Sequence, residues 1–287
     1  MITKDTVQFY DHFPYDDLLY VEGRVDRRKG VPRLPRSKYD RLKYHQHVPR
    51  FDHYCGWVAS TIGEENYRFF LLFVATQLAL CVYGTALLGR FFWGEIQDKK
   101  LFEVKFFDKN NGMEYQADKW IVFQYLFHRH IYEAGVLAVV AVMSVALLCF
   151  LGYHCYITSI GMTTNEHYKW GEVRKWHKEQ VRLYDEYLKQ QSTSPNASNN
   201  TNAASSALKN DSDDPKKPPI PDGDVTCTGG KATADGEEES AVMEDPGPMP
   251  VNIYNRGFVE NWKEVLFPIS LRRRAAAASV ADKAKAT

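Results

Sequence analysis

Two long apolar segments divide this chain and predict its architecture. Phe69 to Gly89 and Ala134 to Ile157 each run for 20 or more residues without Asp, Glu, Lys or Arg. An α-helix of that length crosses about 30 Å of hydrocarbon, whereas the helices of soluble cores, the alternative reading, are usually much shorter. The pattern therefore predicts an α-helical integral membrane protein with two transmembrane helices, over residues 68–90 and 134–157.

The polar segments around these spans predict the rest of the layout. We expect a polar cytosolic segment, a lumenal loop between the spans, a charged cytosolic helix, a disordered linker, an aromatic C-terminal segment, and a tail that is a frayed helix or disordered. The polar cytosolic segment is residues 1–67, the lumenal loop 91–133 and the charged helix 158–190. The linker is residues 191–248, the aromatic segment 249–268 and the tail 269–287. The linker is rich in Ser, Asn, Asp, Pro, Gly and Glu, so it cannot bury enough apolar surface to offset its chain entropy.

The charge distribution predicts which side of the membrane each segment faces. Ten Lys or Arg lie between Arg24 and Arg50, the stretch from Lys169 to Lys189 is also basic, and the loop between the spans mixes both signs. Because basic residues are retained in the cytosol, both termini are expected there, in an endomembrane such as the ER or Golgi. A net charge of zero and the membrane position disfavour nucleic-acid binding. The five cysteines indicate no disulfide framework.

One short polar stretch before the first span carries candidate chemistry. In an extended segment His53 and Cys55 point to the same face, so the imidazole can take the thiol proton and then stabilise the thiolate. Asp52 can orient that imidazole and stabilise its charged form. The alternative is that Asp-His-Tyr-Cys is an incidental polar loop.

The position of the thiol indicates what it would react with. Cys55 lies about a dozen residues before the first span, which places it near the bilayer surface. A reactant with a polar head and a 16-carbon tail would be held there, because each buried methylene contributes about 0.8 kcal/mol. Acyl-CoA is such a reactant, with its thioester at the interface and its tail in the bilayer.

Three ordered motifs resemble those of the DHHC protein S-acyltransferases. The line "PRSKYDRLKYHQHVPRFDHYCGWVASTIGEENYRFF" is similar to the family core, here with Asp-His-Tyr-Cys. "TTNE", Thr163 to Glu166, follows the second span as the family's Thr-Thr-x-Glu does, and "NIYNRGFVENWKEVLF", Asn252 to Phe267, resembles its C-terminal motif. The resemblance runs from about Tyr15 to Phe267, apart from the linker.

The resemblance implies a palmitoyltransferase that works in two steps. Cys55 would take the acyl group from acyl-CoA and pass it to juxtamembrane cysteines of membrane-anchored proteins, with His53 as base and Asp52 as its orienting group. By similarity, Trp57 would lie beside the acyl thioester and Thr164 would contact the catalytic loop near Asp52. Asn261 would tie the C-terminal segment against the membrane helices.

The zinc ligands of the family are largely missing. Tyr39 and Asp40 stand where His-Cys is expected, Tyr54 replaces the second histidine, and Thr61 replaces a cysteine. Two tetrahedral sites need eight ligands, so we expect no bound zinc and no other cofactor. We expect tyrosines to replace the metal with packing, and His45 and His47 to be solvated.

Three alternatives stay open at this stage. A different metal site could join His45 and His47 to His53 and Cys55, which would make the chain a metal-binding regulatory module. The chain could also be a catalytically inactive scaffold. Family members usually have two further spans before the catalytic segment, so we expect a missing N-terminus, rather than a partner subunit or a non-catalytic remnant.

Overall fold

The computed structural model describes residues 1–26, 29–107, 112–193 and 244–286, so most of the predicted linker lies outside the described residues. Its helices are α1 (Val7–Tyr10), α2 (Tyr67–Asp98), α3 (Lys119–Arg129), α4 (Ile131–Ser159), α5 (Thr164–Thr193), α6 (Phe258–Leu266) and α7 (Ile269–Ala286). Short strands pair antiparallel, β1 (Val25–Asp26) with β2 (Val31–Pro32), β3 (Lys38–Tyr39) with β4 (His47–Val48), β5 (His53–Cys55) with β6 (Ser60–Ile62), and β7 (Lys105–Phe107) with β8 (Glu114–Gln116). The chain divides into two units, one formed by Met1–Glu65 and Ser159–Thr287 and the other by Asn66–Thr158.

Helices α2 and α4 are long and apolar enough to cross a membrane, and they contain the two predicted spans. Their apolar side chains largely face outward, with Leu72 64% exposed and Val142 68% exposed. Such a surface favours a hydrocarbon solvent, because a soluble protein rarely leaves so many large apolar groups uncovered. The prediction of two apolar helices of spanning length is confirmed, although α2 continues about two turns beyond residue 90.

Polar side chains near the start of α2 and the end of α4 satisfy each other. The Tyr67 hydroxyl lies 2.9 Å from His154 Nδ1 and 3.3 Å from Thr158 Oγ1. The rings of Phe70 and Phe150 pack edge-on against the His154 imidazole, at centroid distances of 5.1 and 4.6 Å. A buried imidazole is tolerated in this apolar segment because it has hydrogen-bond and aromatic partners.

The segment between the spans was expected to be a lumenal loop, with an amphipathic helix or aromatic belt from Trp120 to Tyr132, and it has regular structure of its own. Strands β7 and β8 form a hairpin, and α3 follows it directly. Val122 and Leu126 lie one turn apart on α3, and both pack into a small core with Leu101 and Ala117. Apolar residues at helical spacing thus give this segment a buried face.

Helices α5 and α7 of the other unit fall in two of the predicted segments. The charged helix predicted over residues 158–190 begins at Thr164, because Gly161 first turns the chain with a positive φ of 70°. The tail, expected to be a frayed helix or disordered, forms α7 from Ile269 onward. Its alanine-rich sequence favours a helix, and its first turn is fixed by Ser270, whose hydroxyl donates to Glu64 Oε1 at 2.5 Å.

The unit formed by the two ends of the chain buries apolar side chains from several of its segments. Ile2, Tyr10, Val31 and Leu34 form one buried cluster. Its strands are two or three residues long, which is too short for stable pairing without other support. Apolar packing and buried polar contacts therefore both support these strands.

Gly161 is a position where only glycine fits. A Cβ atom built there would lie 2.7 Å from the carbonyl oxygen of Tyr254 and 3.0 Å from Asn255 Cα. Both neighbours are backbone atoms, so neither can move aside as a flexible side chain would. Gly247 has a similar φ of 65°, but a Cβ there would meet nothing within 4 Å.

We predict that Gly161→Ala destabilises the protein by about 3 kcal/mol, since left-handed backbone strain adds to the steric clash. Gly247→Ala is the matched control and should cost only about 1 kcal/mol, because strain acts there alone. Thermal unfolding in detergent micelles measures both variants. Equal costs for the two substitutions would contradict the close approach of Tyr254.

Candidate active site

The predicted reactive residues lie on the hairpin formed by β5 and β6. Pairing brings His53 opposite Ile62, Tyr54 opposite Thr61 and Cys55 opposite Ser60. Side chains two residues apart on a strand share one face, so the imidazole of His53 and the thiol of Cys55 lie on the same side of the hairpin. Both ends of the proposed proton transfer are thus carried on one short strand.

Asp52 is the fixed point beside this strand. Its carboxylate is 2% exposed, and its Oδ2 lies 2.6 Å from His53 Nδ1. Thr164, the first residue of α5, donates to the same carboxylate twice, from its amide to Oδ1 at 2.7 Å and from its hydroxyl to Oδ2 at 2.9 Å. The first amides of a helix have no partner within the helix, so Asp52 satisfies one of them and gains the favourable end of the helix dipole.

The electrostatics of the pair favour charge separation between imidazole and thiol. Burial lowers the pKa of His53, but hydrogen bonding and charge attraction with Asp52 and Cys55 raise it more, so the pKa of His53 lies above its ordinary value of 6.5. Burial raises the pKa of Cys55, yet hydrogen bonds from the Val58 backbone, the His53 ring and the Trp57 backbone lower it below its ordinary value. An imidazolium beside a thiolate is the form that attacks an electrophilic carbon.

The start of α5 is held in place by a capping box. The Thr163 hydroxyl accepts the Glu166 amide at 3.2 Å, and Glu166 Oε2 accepts the Thr163 amide at 2.9 Å. This reciprocal pair is the arrangement that Thr-x-x-Glu favours at helix N-termini. It fixes the amide of Thr164, the next residue after the cap, where Asp52 needs it.

A buried arginine ties this cap to the rest of the unit. Arg36, fully buried, donates to Glu166 through Nε and a terminal nitrogen, both at 2.7 Å, and to the Gly161 carbonyl at 2.9 Å. Its other terminal nitrogen donates to Glu264 of α6 at 3.0 Å, and Arg50 Nε lies 3.2 Å from the same carboxylate oxygen. Charge attraction from Arg36 keeps the pKa of Glu166 below its ordinary value despite burial.

Sequence reasoning did not assign roles to Arg36, Glu166 or Glu264. For Glu166, the capping-box spacing from Thr163 was a local signal in the sequence. Arg36 and Glu264 are 228 residues apart in the chain, so no local pattern connects them. Their contact becomes visible only when the chain is folded.

The other two predicted supporting residues have different surroundings. Asn261 is buried, and its side-chain amide donates to the carbonyl of Ser159, the last residue of α4, and to Asn255 Oδ1, both at 2.8 Å. Trp57 is 89% exposed at the tip of the hairpin. Asn261 thus connects α6 to the end of α4, whereas Trp57 has an uncovered apolar surface two residues from Cys55.

The histidine predictions are only partly right. His45 is exposed, as expected. His47 is buried, contrary to the expectation that it is solvated, because its Nε2 lies 3.0 Å from Asp26 Oδ2 and its ring packs against Tyr39. Tyr54 is exposed and does not fill a core, so packing does not replace the metal at that position.

The residues at the positions where the resemblance would place zinc ligands make other contacts. In the part of the chain that the structure describes, no group of three or more His, Cys, Asp or Glu side chains could hold a metal ion. Asp40 and Thr61 hydrogen-bond to each other instead, with the Thr61 hydroxyl donating at 2.8 Å. The alternative site joining His45 and His47 to His53 and Cys55 is likewise not formed.

A basic cleft of about 390 Å³ opens next to the hairpin, within the same unit. Its cationic lining residues are Arg24, Arg33, Lys38, Arg41 and Lys169. Tyr54, the residue before Cys55, also lines it, as does one acidic residue, Asp40. Such a cleft is suited to a ligand that carries several negative charges.

Comparison with known proteins gives related enzymes along much of the chain. The chain is 25% identical over 272 residues to palmitoyltransferase SWF1 of Yarrowia lipolytica. That alignment covers 91% of this chain and 62% of the relative. The chain is 28% identical over 178 residues to palmitoyltransferase ZDHHC4 of Mus musculus, covering 61% of this chain and 51% of the relative. Palmitoyltransferase ZDHHC2 of Homo sapiens is 31% identical over 123 residues, covering 42% and 27%.

The chain therefore spans less than two thirds of the length of these relatives. The sequence profile of the DHHC palmitoyltransferase family matches residues 22–171, which include the reactive hairpin, both apolar helices and the start of α5. This match covers more than half of the chain, and the chain belongs to the DHHC palmitoyltransferase family.

Proposed function

We propose that this chain is a protein S-acyltransferase that moves a long-chain acyl group, such as palmitoyl, from acyl-CoA to cysteines of membrane-associated proteins. The observation that carries the proposal is the hydrogen-bonded series from Thr164 through Asp52 to His53, with Cys55 on the same face of the hairpin. Membership in the DHHC family supports the same reaction.

In the first step His53 takes the proton of the Cys55 thiol, and the thiolate attacks the thioester carbon of acyl-CoA. A carbon–sulfur bond forms to Cys55 as the bond to the CoA sulfur breaks. The proton held by His53 then passes to the departing CoA thiolate. Asp52 stabilises the imidazolium during this step and holds its ring in one orientation.

In the second step the acyl group leaves Cys55 for a cysteine of the substrate protein. His53 takes the proton of the incoming thiol, that thiolate attacks the thioester on Cys55, and the proton returns to the Cys55 sulfur. One thioester is exchanged for another of similar energy, so the reaction needs positioning and proton transfer rather than a large driving force.

The connection between the hairpin and α2 supports a substrate cysteine close to the bilayer. Strand β6 ends at Ile62 and α2 begins at Tyr67, so only residues 63–66 join the reactive hairpin to a candidate span. Lipid-anchored or membrane-spanning proteins with a cysteine at the membrane surface fit this arrangement. Trp57, exposed at the tip of the hairpin, would lie beside the acyl thioester.

The basic cleft supports the assignment of acyl-CoA as co-substrate. CoA carries three phosphate groups, and five Lys or Arg side chains line the cleft. Tyr54 lines this cleft and is next to Cys55 in β5, but successive side chains of a strand point to opposite faces, so the pantetheine arm of CoA would pass round the strand to bring its thioester to the thiol. We assign the phosphates of CoA to this cleft.

We also propose that the reaction proceeds without resident zinc or any other bound cofactor. The support is the chemistry of the residues present, since Tyr39, Asp40, Tyr54 and Thr61 replace ligands at the family's metal positions. None of the proposed steps requires a metal, because the proton is transferred by His53 and the nucleophile is a thiol.

The proposed location is an endomembrane, with both spans crossing it and both termini in the cytosol. The excess of Lys and Arg before the first span and after the second supports this orientation. On this assignment, Cys55 faces the compartment that holds acyl-CoA and keeps thiols reduced. Asn261, through Ser159, would connect the cytosolic C-terminal segment to the end of α4.

We predict that Cys55→Ser abolishes incorporation of an alkyne-tagged fatty acid into the protein, because the acyl-enzyme forms only on that sulfur. Cys155→Ser is the matched control and should be labelled like the wild type. In-gel fluorescence with and without hydroxylamine measures thioester-linked label. Label that persists in Cys55→Ser would place the acyl group elsewhere, and an unlabelled wild type would favour an inactive scaffold.

We predict that Lys38→Glu combined with Arg41→Glu raises the KM for acyl-CoA by about tenfold and leaves kcat nearly unchanged, since each reversal removes an attraction to CoA phosphates. Lys175→Glu, on the exposed surface of α5, is the matched control and should not change KM. Initial rates at several acyl-CoA concentrations and two ionic strengths test this. An unchanged KM in the double variant would remove the cleft from the proposal.

A further inference from the structure

The resemblance implies two zinc sites around the catalytic loop, and this chain lacks most of their ligands while it forms short hairpins there. Its strands β1 to β6 are each two or three residues long, which is too short for stable pairing without other support. We propose that hydrogen-bonded carboxylates replace both metal cross-links, and that Asp40 is a positioning residue for the hairpin that carries Cys55. This inference rests on the proposed function only for its catalytic consequence.

Asp40 is the centre of the first replacement. Its Oδ1 accepts the amides of Leu42 at 3.0 Å and Lys43 at 3.4 Å. Its Oδ2 accepts the amide of Tyr44 at 3.0 Å and the hydroxyl of Thr61 at 2.8 Å. Four donors thus converge on one buried carboxylate, where a zinc site would have four acceptors around a cation.

The turn organised by Asp40 is fastened to the reactive hairpin at three consecutive residues. Besides the bond from Thr61, the Tyr44 hydroxyl lies 3.1 Å from Ser60 Oγ. Lys43 Nζ donates to the carbonyl of Ala59 at 2.7 Å. Ser60 and Thr61 belong to β6, and Ser60 is paired directly with Cys55. Loss of this attachment would therefore loosen the strand that positions the thiol.

A second carboxylate links the two hairpins that come earlier in the chain. Asp26 lies in β1 and His47 in β4, both are buried, and their side chains are 3.0 Å apart. The Tyr39 ring packs edge-on against the His47 ring at a centroid distance of 5.5 Å. Tyr39 stands where the family has a metal-binding histidine, so a contact between rings takes the place of a shared ion.

The polarity of the Asp40 cluster opposes a metal ion. Its backbone amides and the Thr61 hydroxyl present hydrogen atoms to the centre, whereas a cation requires lone pairs there. Although burial raises the pKa of Asp40, these donors lower it more, so the carboxylate is ionised at neutral pH. The site is therefore anion-centred, and it forms without loading from solution.

Metal analysis of the full-length wild-type protein in detergent is the first arm of the test. We expect less than stoichiometric zinc, and a thermal unfolding midpoint that does not change when EDTA or 1,10-phenanthroline is added. Stoichiometric zinc, or unfolding caused by a chelator, would overturn the inference while leaving acyl transfer through Cys55 intact.

Substitution of Thr61 is the second arm, because Thr61→Val keeps the shape of the side chain and removes one donor to Asp40. We expect a midpoint lower by roughly 5 °C. We also expect Cys55 to be alkylated about threefold more slowly at pH 7, because a loosened hairpin weakens the contact of Cys55 with His53. Thr61→Ser restores the hydroxyl and should recover both values.

Two more variants separate this role from general destabilisation. Asp40→Asn should lower the midpoint at least as much as Thr61→Val, since one acceptor oxygen becomes a donor facing other donors. Asp5→Asn, at an exposed carboxylate of the same unit, should match the wild type. If Cys55 in Thr61→Val is alkylated at the wild-type rate, the positioning role of Asp40 is refuted. If the metal analysis, unfolding midpoints and alkylation rates are as expected but the wild type transfers no acyl group, the proposed function is contradicted and this inference is not.

Discussion

The proposed chemistry of this chain depends on one buried carboxylate that is held from both sides. Asp52 receives two hydrogen bonds from the first residue of α5 and faces His53 across 2.6 Å. A carboxylate that is already bonded cannot rotate away, so the imidazole has one orientation and its charged form has a fixed counter-ion. The altered pKa values of His53 and Cys55 both follow from this arrangement and from the local backbone donors.

The surrounding unit explains how a small domain keeps that carboxylate in place. A capping box fixes the start of α5, and Arg36 joins that cap to the loop after α4 and to α6. Buried ion pairs contribute little net stability once desolvation is counted, but they define one arrangement of the groups they join. The same logic applies to Asp40 and Asp26, which fix short hairpins that hydrophobic packing alone would leave loose.

The sequence predicted the features that depend on residues close together in the chain, but not the contacts between distant segments. The two apolar helices and the shared face of His53 and Cys55 depend on neighbours in the chain, so the hydropathy pattern and the strand period were sufficient. The contact between Thr164 and Asp52 was implied by resemblance to a family and has no local signal. The ion cluster of Arg36 and Glu264 joins distant segments and was not foreseen.

The error at His47 and the missed contacts have the same origin. His47 was expected to be solvated because its neighbours are polar, yet it is buried through a contact with Asp26 in another hairpin. The tail forms a helix, one of the two states expected, but the contact of Ser270 with Glu64, 206 residues away, has no local signal. In the segment between the spans, the hairpin of β7 and β8 was not expected, and its contact with the core around Val122 and Leu126 forms only on folding.

The most direct test of the central claim is the pH dependence of Cys55 alkylation in the wild type and in Asp52→Asn, measured by mass spectrometry of the peptide that contains Cys55. The wild type should reach its half-maximal rate below the ordinary cysteine pKa of about 8.5, because the thiolate is paired with imidazolium. Asp52→Asn removes the charge that raises the pKa of His53, so the midpoint should rise by about one pH unit. An identical midpoint in both proteins would contradict the account.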